Sequence, residues 1–217
     1  MTPKTLDHIA LWMADRDAAG DALLAEFDMH VIERTDRFTL IGHDARRGKL
    51  TLFDAEGPRE RGALKHVALR VSSLNDGAQS VDAGEGLEVR LVEAETESEY
   101  DLDHVALVSA DPEATAREYE RYGFRPAAAS AEGNPRVEVG GAYVEFHPGD
   151  PGAPERPLLN HLAVLVDSAE EHKNEAEQAG IEVADYVDAA NTLVVFVWLP
   201  EHVKLEYVEH KPTFSLV

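Results

Sequence analysis

A short apolar pattern with one histidine near its start occurs four times along the chain. The four copies read LDHIAL, LKHVAL, LDHVAL and LNHLAV, and their histidines are His8, His66, His104 and His161. Each copy is apolar and rich in branched residues over several positions, as in a strand with at least one buried face. We therefore interpret the chain as four units that begin with the same kind of strand.

A helical segment follows the first, third and fourth copies, and strand-like runs follow each helix. In the third unit Asp111 is a predicted N-cap, Pro112 suits the first turn and Gly123 closes the helix. In the fourth unit the predicted cap is Asp167 or Ser168. Three runs after each helix give a βαβββ unit, so the fold class is α+β. The second unit is shorter than the others, and we expect it to lack its last two strands.

Composition excludes several classes of function. The chain has 217 residues, 44% of them hydrophobic, and a formal charge of -22 that would repel nucleic acids and anionic membranes. No apolar run reaches the roughly 20 residues that span a bilayer, and the start lacks a signal peptide, so we expect a cytoplasmic protein. Because there is no cysteine, any metal must be held by histidine, carboxylate or carbonyl ligands. The expected partner is a small-molecule substrate.

Paired βαβββ units with a histidine on the first strand and a glutamate on the last resemble the vicinal-oxygen-chelate superfamily. This family includes glyoxalase I, epimerases, extradiol dioxygenases and antibiotic-resistance proteins, and the likeness covers nearly the whole chain. It implies two half-open β-barrel cups, with the second unit truncated. It also implies two domains: residues 1–97, a degenerate and metal-free pair of units, and residues 98–217, a pair that contains the metal site.

The resemblance also implies a set of metal ligands. The matching positions of the third and fourth units are His104, His161 and Glu206. Two histidines and one carboxylate leave three adjacent positions open on an octahedral metal, as in non-haem Fe(II) oxygenases. Fe(II) is therefore the expected cofactor, with Mn(II), Ni(II), Co(II) or Zn(II) as alternatives.

The N-terminal pair offers His8 and His66 at the corresponding first-strand positions. Alignment of the last strands sets Leu52 opposite Glu145, so this half has no carboxylate that could complete a site. We expect His8 and His66 to be structural residues.

Two further residues of the third unit point to different chemistries. His147 matches the acid/base histidine that extradiol dioxygenases carry at the end of this strand, where it would move a proton. Glu145 matches the position at which glyoxalase I and the epimerases supply a fourth metal ligand. A bound Glu145 would favour isomerase chemistry, and the alternative is that it forms an ion pair with Arg136 or Arg125.

The sequence favours an extradiol-type dioxygenase that cleaves a catecholic ring, with a substrate pocket lined by Tyr143, Phe196 and Trp198. A glyoxalase- or epimerase-type enzyme is the first alternative, and a non-catalytic binding protein of the resistance type is the second. The sequence is also compatible with a homo-oligomer, because the short second unit leaves a sheet edge that a second copy could cover.

Overall fold

The computed structural model describes residues 2–74 and 77–217, and within them the chain forms two sheets flanked by helices. The first unit contains β1 (Thr5–Met13), α1 (Arg16–Glu26), β2 (His30–Arg34), β3 (Phe38–Gly42) and β4 (Lys49–Asp54). The second contains β5 (Leu64–Val71), β6 (Ser80–Asp82) and β7 (Glu88–Glu93). The third contains β8 (Asp101–Ser109), α2 (Pro112–Tyr119), β9 (Arg125–Ala127), β10 (Arg136–Val139) and β11 (Ala142–Pro148). The fourth contains β12 (Leu159–Leu165), α3 (Ala169–Gln178), β13 (Val183–Asp188), β14 (Thr192–Trp198) and β15 (Lys204–His210).

The helices begin at the residues that their local sequence predicts. The Asp111 carboxylate accepts a hydrogen bond from the Ala114 amide at 3.0 Å, and the Ser168 hydroxyl accepts one from the Glu171 amide at 3.1 Å. Each cap satisfies one of the amides that the first helical turn leaves unpaired. A 3₁₀ turn follows α2 and ends at Gly123, which has a φ of 95°. In the described part of the chain, no helix is long and apolar enough to cross a membrane.

The four histidine-bearing segments are the central strands β1, β5, β8 and β12, and their pairing decides the architecture. β1 pairs antiparallel with β12 and β5 pairs antiparallel with β8. Each of them also pairs parallel with the last strand of its own unit. The first and fourth units therefore share the eight-stranded sheet, and the second and third units share the seven-stranded sheet.

The expected division at residues 97 and 98 does not coincide with these sheets. Each sheet takes strands from both sides of that boundary, because the first unit pairs with the fourth instead of with the second. Nothing in the strands themselves distinguishes the two arrangements, since the four segments have nearly the same sequence. The expectation came from the resemblance, which implied that each pair consists of units adjacent in sequence.

The second unit is truncated, but not where the sequence suggested. Its β7 pairs parallel with β5, as β4 pairs with β1, so the last strand is present. Among the described residues this unit has three strands and no helix, whereas the other units have four strands and one helix. Asn75 and Asp76, in the segment between β5 and β6, lie outside the described residues.

One close approach joins the two sheets at the turn between β10 and β11. Gly140 has a φ of +55°, and a Cβ built on it would lie 1.6 Å from the Lys4 carbonyl oxygen. The neighbouring Gly141 has a φ of +85°, and a Cβ there would have no atom within 4 Å. The first glycine is therefore required by packing as well as by its backbone conformation.

Gly140→Ala should lower the free energy of unfolding by about 3 kcal/mol or more, because the methyl group meets backbone in addition to the strained φ. The matched control Gly141→Ala has only the conformational cost, about 1 kcal/mol. Chemical denaturation of both variants measures the difference. Equal losses would contradict a close approach at Gly140.

Candidate metal centre

Three ligand-type side chains meet on one face of the eight-stranded sheet: His8 from β1, His161 from β12 and Glu206 from β15. The Nε2 atoms of the two histidines are 3.0 Å apart. Glu206 Oε2 lies 2.8 Å from His161 Nε2 and 3.6 Å from His8 Nε2. Each ligand atom is thus within 4.8 Å of the other two, so the group could hold a metal ion.

Strand register brings these residues together. Ala163 of β12 is paired with His8 on one neighbouring strand and with Glu206 on the other. Residues directly opposite each other on adjacent strands point to the same face of a sheet. Because Ala163 has only a methyl group, it leaves space between the two larger side chains, and this space is where their ligand atoms meet.

Asp7 fixes the orientation of His8 from behind. His8 Nδ1 donates to Asp7 Oδ1 at 2.7 Å, so its Nε2 keeps a lone pair on the side of His161 and Glu206. Lys49 Nζ lies 2.8 Å from the same carboxylate and His210 Nε2 lies 2.9 Å from its other oxygen. Burial alone would raise the pKa of Asp7, but Lys49, His210 and His8 outweigh it and hold that pKa well below its ordinary value.

The protonation states suit metal binding. Burial lowers the pKa of His161, despite the opposing effect of Glu206, so its imidazole is neutral near pH 7. Burial would raise the pKa of Glu206, but His161 and His8 outweigh this and lower the pKa below its ordinary value. A neutral imidazole and an ionised carboxylate are the forms in which these side chains bind metals.

The spacing of the three atoms also fits a metal. Ligands about 2.1 Å from a metal and at right angles to each other are about 3 Å apart. The three observed separations are 3.0, 2.8 and 3.6 Å. The donor set of two imidazoles and one carboxylate, on adjacent positions, is that of a facial triad.

Asp7 is also a structural residue, because Lys49 is buried beside it with only 3% of its surface exposed. We expect Asp7→Asn to lower the free energy of unfolding by about 3–5 kcal/mol, since it leaves the Lys49 ammonium buried without a carboxylate. Asp103→Asn is the control. The Asp103 carboxylate contacts His104 Nδ1 as Asp7 contacts His8 Nδ1, but its cationic partner is Arg70, which is more accessible to water than Lys49. Urea denaturation of metal-free protein would test this, and a loss no larger than that of the control would contradict it.

A cavity of about 390 Å³ opens in front of the triad. Its wall is mainly aromatic and aliphatic and includes Phe38, Phe53, Phe196, Phe214 and Leu216. The Phe196 ring meets the His161 ring edge to face, with centroids 5.3 Å apart. Phe214 and Leu216 belong to the segment that follows β15, so the last residues of the chain form part of the wall.

The structure separates the residues that the sequence grouped into one site. His161 and Glu206 lie together, but His104 is on β8 in the seven-stranded sheet, where its Nε2 is 3.1 Å from His66 Nε2. His8 takes the place expected for His104. The reason is the pairing of the first unit with the fourth, which no feature of the histidine-bearing segments indicates.

Glu145, His147 and Tyr143 are also in the seven-stranded sheet, on β11. Glu145 pairs with Arg136 at 2.6 Å, which is the ion pair that the sequence left open as an alternative to metal ligation. His147 Nε2 lies 2.8 Å from Glu145 Oε1, and Tyr143 stacks on His104. None of these three lines the cavity beside the triad.

Of the other expected pocket residues, Phe196 lines the cavity, as described above. Trp198 is 49% exposed on β14, where its ring contacts Lys204, and it does not line the cavity. Phe196 is paired with Glu206 on β15, whereas Trp198 is paired with Lys204, two residues farther from the triad along that strand.

A second pocket, of about 640 Å³, lies on the seven-stranded sheet. We define it by six residues that line it: Lys65, His66, Arg90, His104, Glu145 and His147. Burial, together with the nearby Arg90, His104, His147 and Lys65, lowers the pKa of His66 to about 3. Burial and then Lys65 lower the pKa of His147 as well.

Comparison of the four units identifies the position that completes each site. The alanine two residues after each central histidine is paired with one residue of the unit's last strand. In order along the chain, these residues are Thr51, Arg90, Glu145 and Glu206. Thr51, and not Leu52, is therefore the first unit's counterpart of Glu145, so this position offers the triad no second carboxylate.

Sequence reasoning missed His8 as a member of the triad. One sequence feature marks His8, but it does not separate His8 from His104, because Asp7 precedes His8 as Asp103 precedes His104. An acidic neighbour that holds Nδ1 is typical of metal-binding histidines.

The fold is similar to those of several solved structures. A proposed dioxygenase from Bacillus subtilis superposes with a TM-score of 0.74 at 12% identity, over 98% of this chain and 87% of that one. Glyoxalase I from Zea mays superposes with a TM-score of 0.68 at 13% identity, over 94% of this chain and 92% of that one. No protein-family model and no curated protein matches the sequence. Two unclosed sheets, formed by three βαβββ units and one shorter unit, and this similarity over nearly all the chain give the protein the fold of the vicinal-oxygen-chelate superfamily.

Proposed function

We propose that the protein is a metal-dependent, extradiol-type ring-cleavage dioxygenase that acts on a catecholic aromatic compound. The observation that carries the proposal is the donor set: His8, His161 and Glu206. Thr51 stands at the position where a second carboxylate would supply a fourth ligand. Three protein ligands leave three adjacent positions on an octahedral metal, enough for two substrate oxygens and dioxygen. We propose Fe(II) as the metal, with Mn(II) as the second choice.

The cavity supports an aromatic substrate. Phenylalanine side chains from β3, β4 and β14 line it, and at about 390 Å³ it suits a single ring with small substituents. Such walls hold the ring by apolar contact and exclude water, while the triad lies at the polar end of the same cavity. A catechol would therefore enter with its two hydroxyl groups toward the triad.

A bound Fe(II) would supply the chemistry of dioxygen, both atoms of which enter the ring-opened product when the ring carbon–carbon bond breaks. The chain's own task is to move protons from and to the substrate hydroxyls. His147 lies in the other sheet, so we assign this task to His210, which lines the cavity four residues after Glu206. His210 stacks on Phe214 at 4.3 Å and is held by Asp7, which also orients His8.

Isomerase chemistry of the glyoxalase or epimerase type is the alternative, and the donor set argues against it. That chemistry would need a fourth ligand, a second carboxylate, to move the proton. Thr51 has no ionisable group at neutral pH, and Glu145 is paired with Arg136 in the other sheet.

Metal analysis of anaerobically purified protein, followed by oxygen uptake with Fe(II) and a panel of catechols, tests the proposal. We expect about one iron per chain, oxygen uptake and a yellow ring-opened product. Nickel, cobalt or zinc without oxygen uptake would overturn it in favour of the isomerase. Protein without metal, and without a metal-dependent thermal shift, would overturn it in favour of a non-catalytic binding protein.

A further inference from the structure

The second pocket has the same histidine pair as the triad, but it has Arg90 at the place that Thr51 occupies beside the triad. His66 and His104 face each other at 3.1 Å, much as His8 and His161 do at 3.0 Å. On β7, however, Arg90 is paired with Ala68, at the position that corresponds to Glu145 and Glu206. A guanidinium at this position would repel a divalent cation and attract an anion.

Glu145, the counterpart of Glu206 in this pocket, is bound to other partners. Glu145 receives the Arg136 guanidinium at 2.6 Å, an amide hydrogen bond from Asn134 at 3.3 Å, and His147 Nε2 at 2.8 Å. Its charge is thus neutralised within the wall of the pocket. Among the described residues, only His8, His161 and Glu206 form a group of ligand atoms that could hold a metal ion.

Two cations remain for a ligand. Lys65 donates to His147 Nδ1 at 2.8 Å and has no ion pair with a carboxylate of the described residues. Arg90 pairs only with Glu88 among those residues, and both side chains are accessible to water, so this pair costs little to exchange. Both cations line one pocket of a protein whose formal charge is -22.

The wall of the second pocket is not wholly polar. Leu91, Val92 and Pro148 line it beside the charged groups. An inorganic anion would gain nothing from these residues, whereas an organic acid can place its apolar body against them. We propose that the second pocket binds a small organic carboxylate, with Arg90 and Lys65 contacting the carboxylate group.

Benzoate is a suitable probe, and benzamide is its uncharged counterpart of the same shape. The experiment uses zinc-loaded, nitrogen-15-labelled protein, in which the triad is filled and paramagnetic broadening is absent. We expect benzoate to shift amide signals in residues 65–66, 88–93 and 145–147, and benzamide to leave them unchanged. Because the readout is resolved by residue, binding in the cavity beside the triad is distinguished from binding here.

Arg90→Gln should raise the dissociation constant for benzoate at this pocket about tenfold or more, since it removes a charge-assisted hydrogen bond. The control is Arg125→Gln, an exposed arginine of the same sheet that pairs with Glu138 and does not line the pocket. Equal shifts with benzamide, shifts confined to the other cavity, or unchanged affinity in Arg90→Gln would each overturn the proposal. The proposal for the second pocket does not depend on the dioxygenase reaction, and the experiment that tests it measures binding and not turnover.

Discussion

His8→Ala is expected to remove the metal, reducing it from about one to near zero per chain, together with turnover. The physical reason is that His8 supplies one of three converging ligand atoms and no other group of the described residues joins them. His66→Ala and His104→Ala should retain metal, because their imidazoles face each other in the second pocket. Mass spectrometry of purified protein gives the metal content, and oxygen uptake gives the activity.

These three variants also decide between the two groupings of the histidines. His66 is the matched control for His8, since it stands at the same place in the same strand pattern. If His104→Ala lost metal while His8→Ala kept it, the triad would be the one that the sequence suggested. Circular dichroism and thermal melting of each variant separate loss of a ligand from loss of the fold.

His210→Gln is expected to slow turnover by about 10²–10⁴-fold while the metal content stays the same. Glutamine can still donate a hydrogen bond to Asp7 but cannot take up a proton at neutral pH. The measurement is kcat for oxygen uptake at saturating catechol, with metal content determined on the same sample.

His147→Gln is the control for this experiment, because His147 lies half-buried in the second pocket beside Glu145 and Lys65. We expect its turnover to stay close to that of the unchanged protein. The assignment of proton transfer to His210 would be wrong if His147→Gln were slow and His210→Gln fast.

Much of the local structure could be predicted from the sequence, because it depends on residues close together in the chain. The four central strands follow from their apolar pattern, and the starts of α2 and α3 follow from Asp111 and Ser168. The ion pair of Glu145 with Arg136 was one of two alternatives that the sequence left open. Glu206 and His161 were also placed correctly relative to each other, since they belong to one unit.

What could not be predicted depends on the choice among nearly identical strands. β12 could pair with β8 or with β1 and bury much the same surface, since the two have the same alternation and the same histidine. That choice decides whether His104 or His8 joins His161. The pairing of β12 depends instead on the loops and on packing between the sheets, such as the contact of Gly140 with Lys4. The apolar pattern of a single strand carries no information about these contacts.

The register of the last strands was a smaller source of error. A shift of one residue exchanges the two faces of a strand, so Leu52 and Thr51 point in opposite directions. Alignment by apolar character selected Leu52, whereas the pairing with Ala10 selects Thr51. Arg90 was missed for a related reason, because β7 was not expected to exist as a last strand.

The pairing of the first unit with the fourth has a consequence for how the protein is made. His8 and Glu206 are 198 positions apart in the sequence, so the triad cannot form until the chain has been synthesised as far as Glu206. The second and third units are continuous from Leu64 to Pro148, and their sheet can assemble earlier from shorter-range pairings. Until β12 has been synthesised, the edge of β1 that pairs with it has no partner in this sheet, and an unpaired strand edge favours aggregation.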